Sequence, residues 1–229
     1  MFLEIEVLKS SVILRIRPVS AALALFAFSF LSTALRAQVT ATAPATTLPQ
    51  YQQRWDVYGG YSYSHFNPGI GKGVQAMNLN GWNGDLTAWF KQLFGLEFSI
   101  RGYYGTINVP PNAYNVTTSN MSEHLFMVGP NFRIVRKENY AAGVHALIGA
   151  ANGDFDQGFK NSGAQPYQVG IYNNKTAFGG AFGGWADYNI NQKWAARFTA
   201  DWQPTHYGFS TQNEFAGTAG VVYKFGYLK

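Results

Sequence analysis

Apolar side chains recur at every second position along most of this chain, and this alternation limits its fold more than any other feature. From Trp55 onward, no window of about 15 residues carries the i, i+3, i+4, i+7 spacing of an amphipathic helix. Alternation at i, i+2 predicts β-strands that have one apolar face, and it recurs in eight segments. The predicted strands are Trp55–Phe66, Gly81–Phe90, Phe94–Tyr104, His124–Ile134, Tyr140–Ala150, Ala177–Tyr188, Trp194–Pro204 and Asn213–Phe225.

The connections between the predicted strands alternate between short and long. The short ones comprise residues 91–92, 135–139 and 189–193, and the long ones lie around residues 67–77, 105–121 and 152–175. The long connections are polar and rich in Gly, Asn and Pro. Short turns at one end and long loops at the other are typical of transmembrane barrels.

The two faces of the predicted strands differ in composition. One face carries apolar and aromatic side chains without Asp, Glu, Lys or Arg, whereas the other collects the charges together with Ser, Thr, Asn, Gln and Gly. An eight-stranded barrel is only wide enough inside for its own side chains, so opposite charges there are expected to pair and to plug the lumen. The predicted lumenal charge network is Asp56, Asp85, Glu97, Arg101, Arg133, Asp187, Arg197, Asp201, Glu214 and Lys224.

Hairpin geometry predicts two specific pairs in this network. Antiparallel pairing about the turn at Asn191-Gln192 brings Asp187 opposite or diagonal to Arg197. The same construction about Lys91-Gln92 brings Asp85 close to Arg101.

Alternation alone does not distinguish a membrane barrel from a soluble barrel, which points its apolar face inward. Bulky aromatic residues cluster at the ends of the apolar face, for example Trp55, Trp82, Trp194 and Trp202. Aromatic girdles of this kind lie at both membrane interfaces of outer-membrane barrels. We therefore predict an all-β, eight-stranded, antiparallel transmembrane up-and-down β-barrel over residues 54–229, with a soluble ligand-binding barrel as the alternative.

The N-terminus has the order of a secretory signal peptide. Lys9, Arg15 and Arg17 precede the apolar run Val19–Leu31, and small residues follow before Gln38. We predict a signal peptide over residues 1–37, a flexible Thr/Ala/Pro leader over residues 38–53, and export through the inner membrane to the cell outer membrane.

The overall charge does not indicate a nucleic-acid partner. The formal net charge is +5, but part of it lies within the predicted signal peptide and the rest of the chain has no Lys/Arg run. The absence of cysteine also excludes thiol nucleophiles, disulfides and cysteine-ligated metal sites.

Several strings resemble a known family. Phe126–Arg133 (FMVGPNFR), Val144–Gly149 (VHALIG), Gly183–Tyr188 (GGWADY), Asp201–Pro204 (DWQP) and Gly220–Gly226 (GVVYKFG) are similar to small outer-membrane β-barrel proteins of the outer membrane protein A and opacity-protein type. The likeness covers about residues 55–226.

The resemblance implies a structural or surface-interaction role, including loop-mediated adhesion, without a cofactor. It also implies two partners, the lipid and lipopolysaccharide of the outer membrane and the barrel-assembly machinery. That machinery commonly reads a terminal aromatic residue, whereas here Gly226–Lys229 follow Phe225.

No motif for catalysis, cofactor or metal binding is complete. Gly69–Gly73 resembles a phosphate loop without its spacing, and Asp154–Gly158 begins a calcium loop without the closing Glu. Both are interpreted as polar loops.

Ser122-Glu123-His124 contains the residue types of a hydrolase triad near a strand end, as in outer-membrane enzymes that remove acyl chains from lipid A. We interpret it as a polar rim and predict no catalytic residues, leaving a lipid A acyl hydrolase and a small pore as alternatives.

The long loops are the predicted binding surface, for an external ligand or another surface. Their aromatic residues are the candidate contacts, namely Tyr114, Phe155, Phe159, Tyr167 and Tyr172.

Overall fold

A computed structural model describes residues 51–68 and 76–228, which form one closed antiparallel β-barrel. The strands are β1 (Trp55–Asn67), β2 (Met77–Trp89), β3 (Phe94–Asn108), β4 (Thr118–Arg136), β5 (Tyr140–Asp154), β6 (Lys175–Asn189), β7 (Trp194–Thr205) and β8 (Gln212–Phe225). Each strand pairs with its sequence neighbours, and β1 pairs with β8 to close the barrel. The predicted up-and-down barrel is therefore confirmed. The predicted signal peptide, most of the leader and Gly69–Gly73 lie outside the described residues.

All eight predicted strands are present, and most extend further at the end that carries the long loops. β4 begins at Thr118 instead of the predicted His124, and β3 continues to Asn108 instead of Tyr104. The ladder between them runs without interruption to the pair Asn108–Thr118. The strands are longer than predicted because backbone pairing continues past the last residue of the alternating apolar pattern.

The two faces divide as the alternation predicts. Outward apolar side chains such as Leu86, Phe98, Val128 and Ile148 are exposed, whereas all ten predicted network residues are buried. A continuous apolar exterior around a polar interior is the arrangement of a barrel that contacts lipid. Among the described residues, no helix is long and apolar enough to cross a bilayer.

Glycines make room for large side chains inside the barrel. A Cβ at Gly183 would lie 2.0 Å from Asp201 Oδ1, and one at Gly143 would lie 2.5 Å from the Trp185 ring. Neither position can carry a side chain without displacing its neighbour.

The end of the barrel with the short turns, which we call the short-turn end, is covered by Tyr51. Its hydroxyl donates to the carbonyl oxygen of Lys137, lies 3.2 Å from that of Tyr140, and accepts from Asn189 Nδ2 at 2.9 Å. The Tyr51 side chain packs in a cluster with Trp89 and Trp185. The flexible leader was predicted to extend to residue 53. Tyr51 within it contacts the barrel, because its hydroxyl forms hydrogen bonds with polar groups at the short turns.

The opposite end, which we call the long-loop end, holds the main apolar cluster. Buried side chains of the strands, such as Phe66 and Leu79, meet loop side chains such as Phe155 and Tyr172. Both ends of the barrel are therefore covered by side chains.

Candidate functional site

The lumen near the short-turn end contains cations paired with carboxylates. Arg197 lies directly opposite Asp187 in the β6–β7 ladder. Its Nε and Nη2 donate to the two Asp187 oxygens at 2.6 and 3.0 Å, which is the bidentate geometry of a strong ion pair. The Arg197 guanidinium also lies 4.3 Å from the Trp185 ring centre.

Arg133 and Lys224 complete this cation group. Arg133 Nη2 donates to Asp56 Oδ2 at 3.0 Å, and its guanidinium lies 3.8 Å from the Trp89 ring centre. Lys224 Nζ donates to Asn189 Oδ1 at 2.7 Å and lies 3.5 Å from Asp187 Oδ2. Each cation thus has a carboxylate partner.

The middle of the lumen is organised around His145, which the sequence analysis left out of the network. Its Nε2 lies 2.8 Å from Asp201 Oδ1 and its Nδ1 lies 3.0 Å from Glu97 Oε1. Arg101 Nη1 lies 2.7 Å from Asp201 Oδ2. A ring between two carboxylates suits the imidazolium form, which donates from both nitrogens. The signal was available, because His145 lies on the charged face of the fifth predicted strand.

The predicted pair of Asp85 and Arg101 is not formed as an ion pair. Asp85 is opposite Ser99, and Arg101 is opposite Asn83, so the two charges are diagonal in the β2–β3 ladder. Arg101 instead reaches across the lumen to Asp201 on β7, while Asp85 Oδ2 accepts from Asn83 Nδ2 at 3.2 Å. Pairing within one hairpin does not predict this partner, because β3 and β7 meet only across the closed barrel.

The lumen near the long-loop end is different, because its carboxyl groups meet neutral donors. Glu214 accepts from Ser64 Oγ at 3.0 Å and from Gln203 Nε2 at 3.1 Å. Glu123, which also faces Glu214, accepts from the Tyr207 hydroxyl at 2.9 Å. Burial and the adjacent Glu123 raise the pKa of the Tyr207 phenol, so it stays a donor. Glu123 was not predicted as a lumenal residue, because it lies one residue outside the predicted strand His124–Ile134.

Of the predicted loop contacts, only Tyr114 and Tyr167 are exposed. Phe155, Phe159 and Tyr172 are buried, which corrects their interpretation as contact residues. Phe155 packs edge-on against Tyr207 with ring centres 5.1 Å apart, and the Tyr172 hydroxyl donates to the Pro68 carbonyl oxygen. Burial raises the pKa of the Tyr172 phenol, which keeps that donor in place. These rings cover the lumen together with Val169 and Ile171 of the same loop, which are buried in the same cluster.

The possible triad is not assembled. Ser122 Oγ accepts from Gln157 Nε2 at 2.8 Å, and His124 Nε2 bonds to the Tyr104 hydroxyl at 3.1 Å on the outer surface. Glu123 points into the lumen. The three side chains therefore have separate partners, and Glu123 lies on the opposite face of β4 from Ser122 and His124.

The calcium-like loop is occupied by a cation of the chain itself. Lys160 Nζ lies 2.9 Å from Asp154 Oδ2 and 3.5 Å from Asp156 Oδ1. The hydrogen bond to Asp154 raises the pKa of Lys160. No group of three or more potential metal ligands occurs within residues 51–68 and 76–228.

These features define a class of protein, a small closed barrel of the outer-membrane type with a filled lumen and long loops at one end. No protein-family model matches the sequence, and no curated protein matches it significantly. Solved structures do match. OprG from Pseudomonas aeruginosa is 13% identical with a TM-score of 0.50, covering 76% of this chain and 96% of OprG.

Two further solved structures match. Neisserial surface protein A is 10% identical with a TM-score of 0.50, covering 75% of this chain and 97% of that one. Ail, the attachment invasion locus protein of Yersinia pestis, is 16% identical with a TM-score of 0.48, covering 75% of this chain and 99% of Ail. The likeness to OprG and to the neisserial protein shows the fold, which is that of small outer-membrane β-barrels.

Proposed function

We propose that this protein is an integral outer-membrane barrel whose lumen is a closed scaffold and whose long loops carry a surface-interaction role. The observation that supports the proposal is the burial of side chains at both ends and in the middle of the lumen. Tyr51 covers one end, the paired charges occupy the middle, and Phe155 covers the other end at zero exposure. A pore would need an open path lined by polar groups.

The membrane location is supported by the outer face of the barrel. Its strands present apolar side chains such as Ile148 at mid-height and aromatic side chains such as Trp194 and Trp202 nearer the ends. We propose outer-membrane lipid and lipopolysaccharide as the surroundings of this face, and the barrel-assembly machinery as the partner that inserts it. The short turns then lie in the periplasm and the long loops outside the cell.

A test of the membrane location is extraction behaviour. We expect the mature chain to require detergent, to show strand content in micelles, and to migrate differently on a gel before and after boiling. Purification as a water-soluble monomer without detergent contradicts the proposal.

A test of the closed lumen is conductance in planar bilayers. We expect no stable ion steps from the folded protein under conditions in which a general porin conducts. Uniform, long-lived openings with every insertion would show that the lumen is a pore, and the scaffold assignment would then be wrong.

A further inference from the structure

The long-loop end carries a cleft of about 410 Å³ between the β3–β4 loop (residues 109–117) and the β5–β6 loop (residues 155–174). Six of its ten lining residues carry amide or hydroxyl side chains. Asn115, Thr117 and Thr118 line one wall, and Gln157, Asn161 and Ser162 line the other.

The wall formed by the β3–β4 loop is fixed by one side chain. Asn112 Nδ2 donates to the carbonyl oxygens of Pro110 and Val116, and its Oδ1 accepts from the backbone N–H groups of Tyr114 and Val116. The backbone N–H of Val109 also donates to the Thr117 carbonyl oxygen at 2.9 Å. This loop is therefore held in one shape before any ligand binds.

The opposite wall is attached to the barrel. Ser119 Oγ on β4 donates to the Phe155 carbonyl oxygen at 2.8 Å and accepts from the Gly158 N–H at 3.4 Å. Asn174 Oδ1 accepts from the Phe155 N–H at 2.7 Å. Two preorganised walls reduce the ordering cost of binding.

Three exposed side chains of the cleft have free hydrogen-bonding groups. Asn115, Thr117 and Asn161 form no side-chain hydrogen bond within the described part of the chain. Two amides and one hydroxyl provide both donors and acceptors. The largely buried Phe159 ring also lines the cleft.

The charge of the cleft disfavours an anionic ligand. Lys160 is its only charged lining residue, and its ammonium group is already held by Asp154 and Asp156. A phosphate or sulfate group would have to compete with two carboxylates. The remaining groups match the hydroxyl-rich surface of an uncharged sugar.

We propose that this cleft binds a neutral oligosaccharide. The inference rests on the proposed function, because it requires the long loops to face the cell exterior. Two sources present this chemistry there, the outer-core sugars of lipopolysaccharide on the same cell and the glycans of another surface.

The experiment uses the full mature chain folded in phosphatidylcholine nanodiscs. Saturation-transfer NMR and calorimetry measure binding of maltotriose, tri-N-acetylchitotriose and the phosphate-free outer-core oligosaccharide of lipopolysaccharide. Dextran sulfate serves as the polyanion. We expect at least one neutral sugar to bind, with preference for the outer core indicating the cell's own surface and preference for the other sugars indicating a foreign one.

The variant Thr117→Val/Asn161→Ala removes one hydroxyl and one amide from the cleft. We expect its affinity to fall about tenfold or more, as the loss of two hydrogen bonds implies. The matched control Asn173→Ala/Thr211→Val removes the same groups from exposed loop positions outside the cleft and should bind as the native chain does.

Two results overturn the inference. One is that the native chain binds none of the neutral sugars. If that chain also shows heat-modifiable mobility and no conductance, the proposed function stands and only the sugar-binding inference fails. The other is tighter binding of dextran sulfate that is lost in Lys160→Gln, because the cleft would then recognise charge.

Discussion

The two halves of the lumen are filled by different chemistry. Near the short-turn end, Arg133, Arg197 and Lys224 each lie within 3.5 Å of a carboxylate oxygen. Near the long-loop end, Glu123 and Glu214 face each other and accept hydrogen bonds from neutral donors, and the space above them is filled by apolar rings. No salt bridge involves either glutamate in residues 51–68 and 76–228. The comparison shows that one narrow barrel can be closed by charge pairing or by packing, and that the two halves should respond differently to the same substitution.

The largest expected effect is in the charge-paired half. Arg197→Gln or Asp187→Asn leaves a buried charge without its bidentate partner, which should destabilise the barrel by about 3–5 kcal/mol. Urea unfolding in micelles measures the change. The double variant should cost less than the sum of the single variants, because Arg197 and Asp187 form a bidentate pair. Strict additivity would mean that their interaction contributes nothing to stability.

In the lumen near the long-loop end, removal of a buried ring should lower the unfolding free energy by a similar amount. Phe155→Ala removes a fully buried ring that contacts Tyr172 and Tyr207. The cost should lie toward the lower end of the about 3–5 kcal/mol seen for buried aromatic residues, because the loop can partly collapse. Protease cleavage within residues 155–174 should accelerate while the short-turn end stays protected. The control is Phe209→Ala, whose ring is fully exposed, and an equal effect there would refute a packed cap.

A third substitution measures how a charge on the outer face of the barrel affects stability, for comparison with the two lumenal substitutions. Ile148 is exposed on the lipid-facing side of β5, so Ile148→Arg should destabilise by about 2–4 kcal/mol at mid-bilayer. Tyr167→Arg, in the exposed β5–β6 loop, should change the unfolding free energy by less than about 0.5 kcal/mol. The measurement is again urea unfolding in lipid or micelles. Equal effects at the two positions would place Ile148 outside the lipid.

The sequence was sufficient for the strands, their two faces and the pair Asp187–Arg197, since period-two alternation and one short hairpin define them. It was insufficient for Arg101 and Asp201, because β3 and β7 are not neighbours in the sheet and their side chains meet only across the closed lumen. The burial of Phe155 could not be predicted either, because the sequence of a Gly/Asn-rich loop without periodicity does not indicate which aromatic ring folds inward.

The smallest expected effect separates the two halves most clearly. Glu214→Gln keeps a side chain of the same shape and an oxygen that accepts from Ser64 and Gln203, and it removes a carboxyl group that faces Glu123 instead of a cation. For Asp187→Asn, the same change from carboxylate to amide is expected to cost about 3–5 kcal/mol, because Arg197 loses its bidentate partner. At Glu214 no cation is left unpaired, and relief of the like-charge contact offsets the weaker hydrogen bonds. We therefore expect the unfolding free energy to change by no more than about 1 kcal/mol, in either direction. The matched control is Asp187→Asn in the same urea titration. A loss at Glu214 as large as that at Asp187 would mean that the long-loop half also depends on an ion pair, and the distinction between the two halves would be wrong.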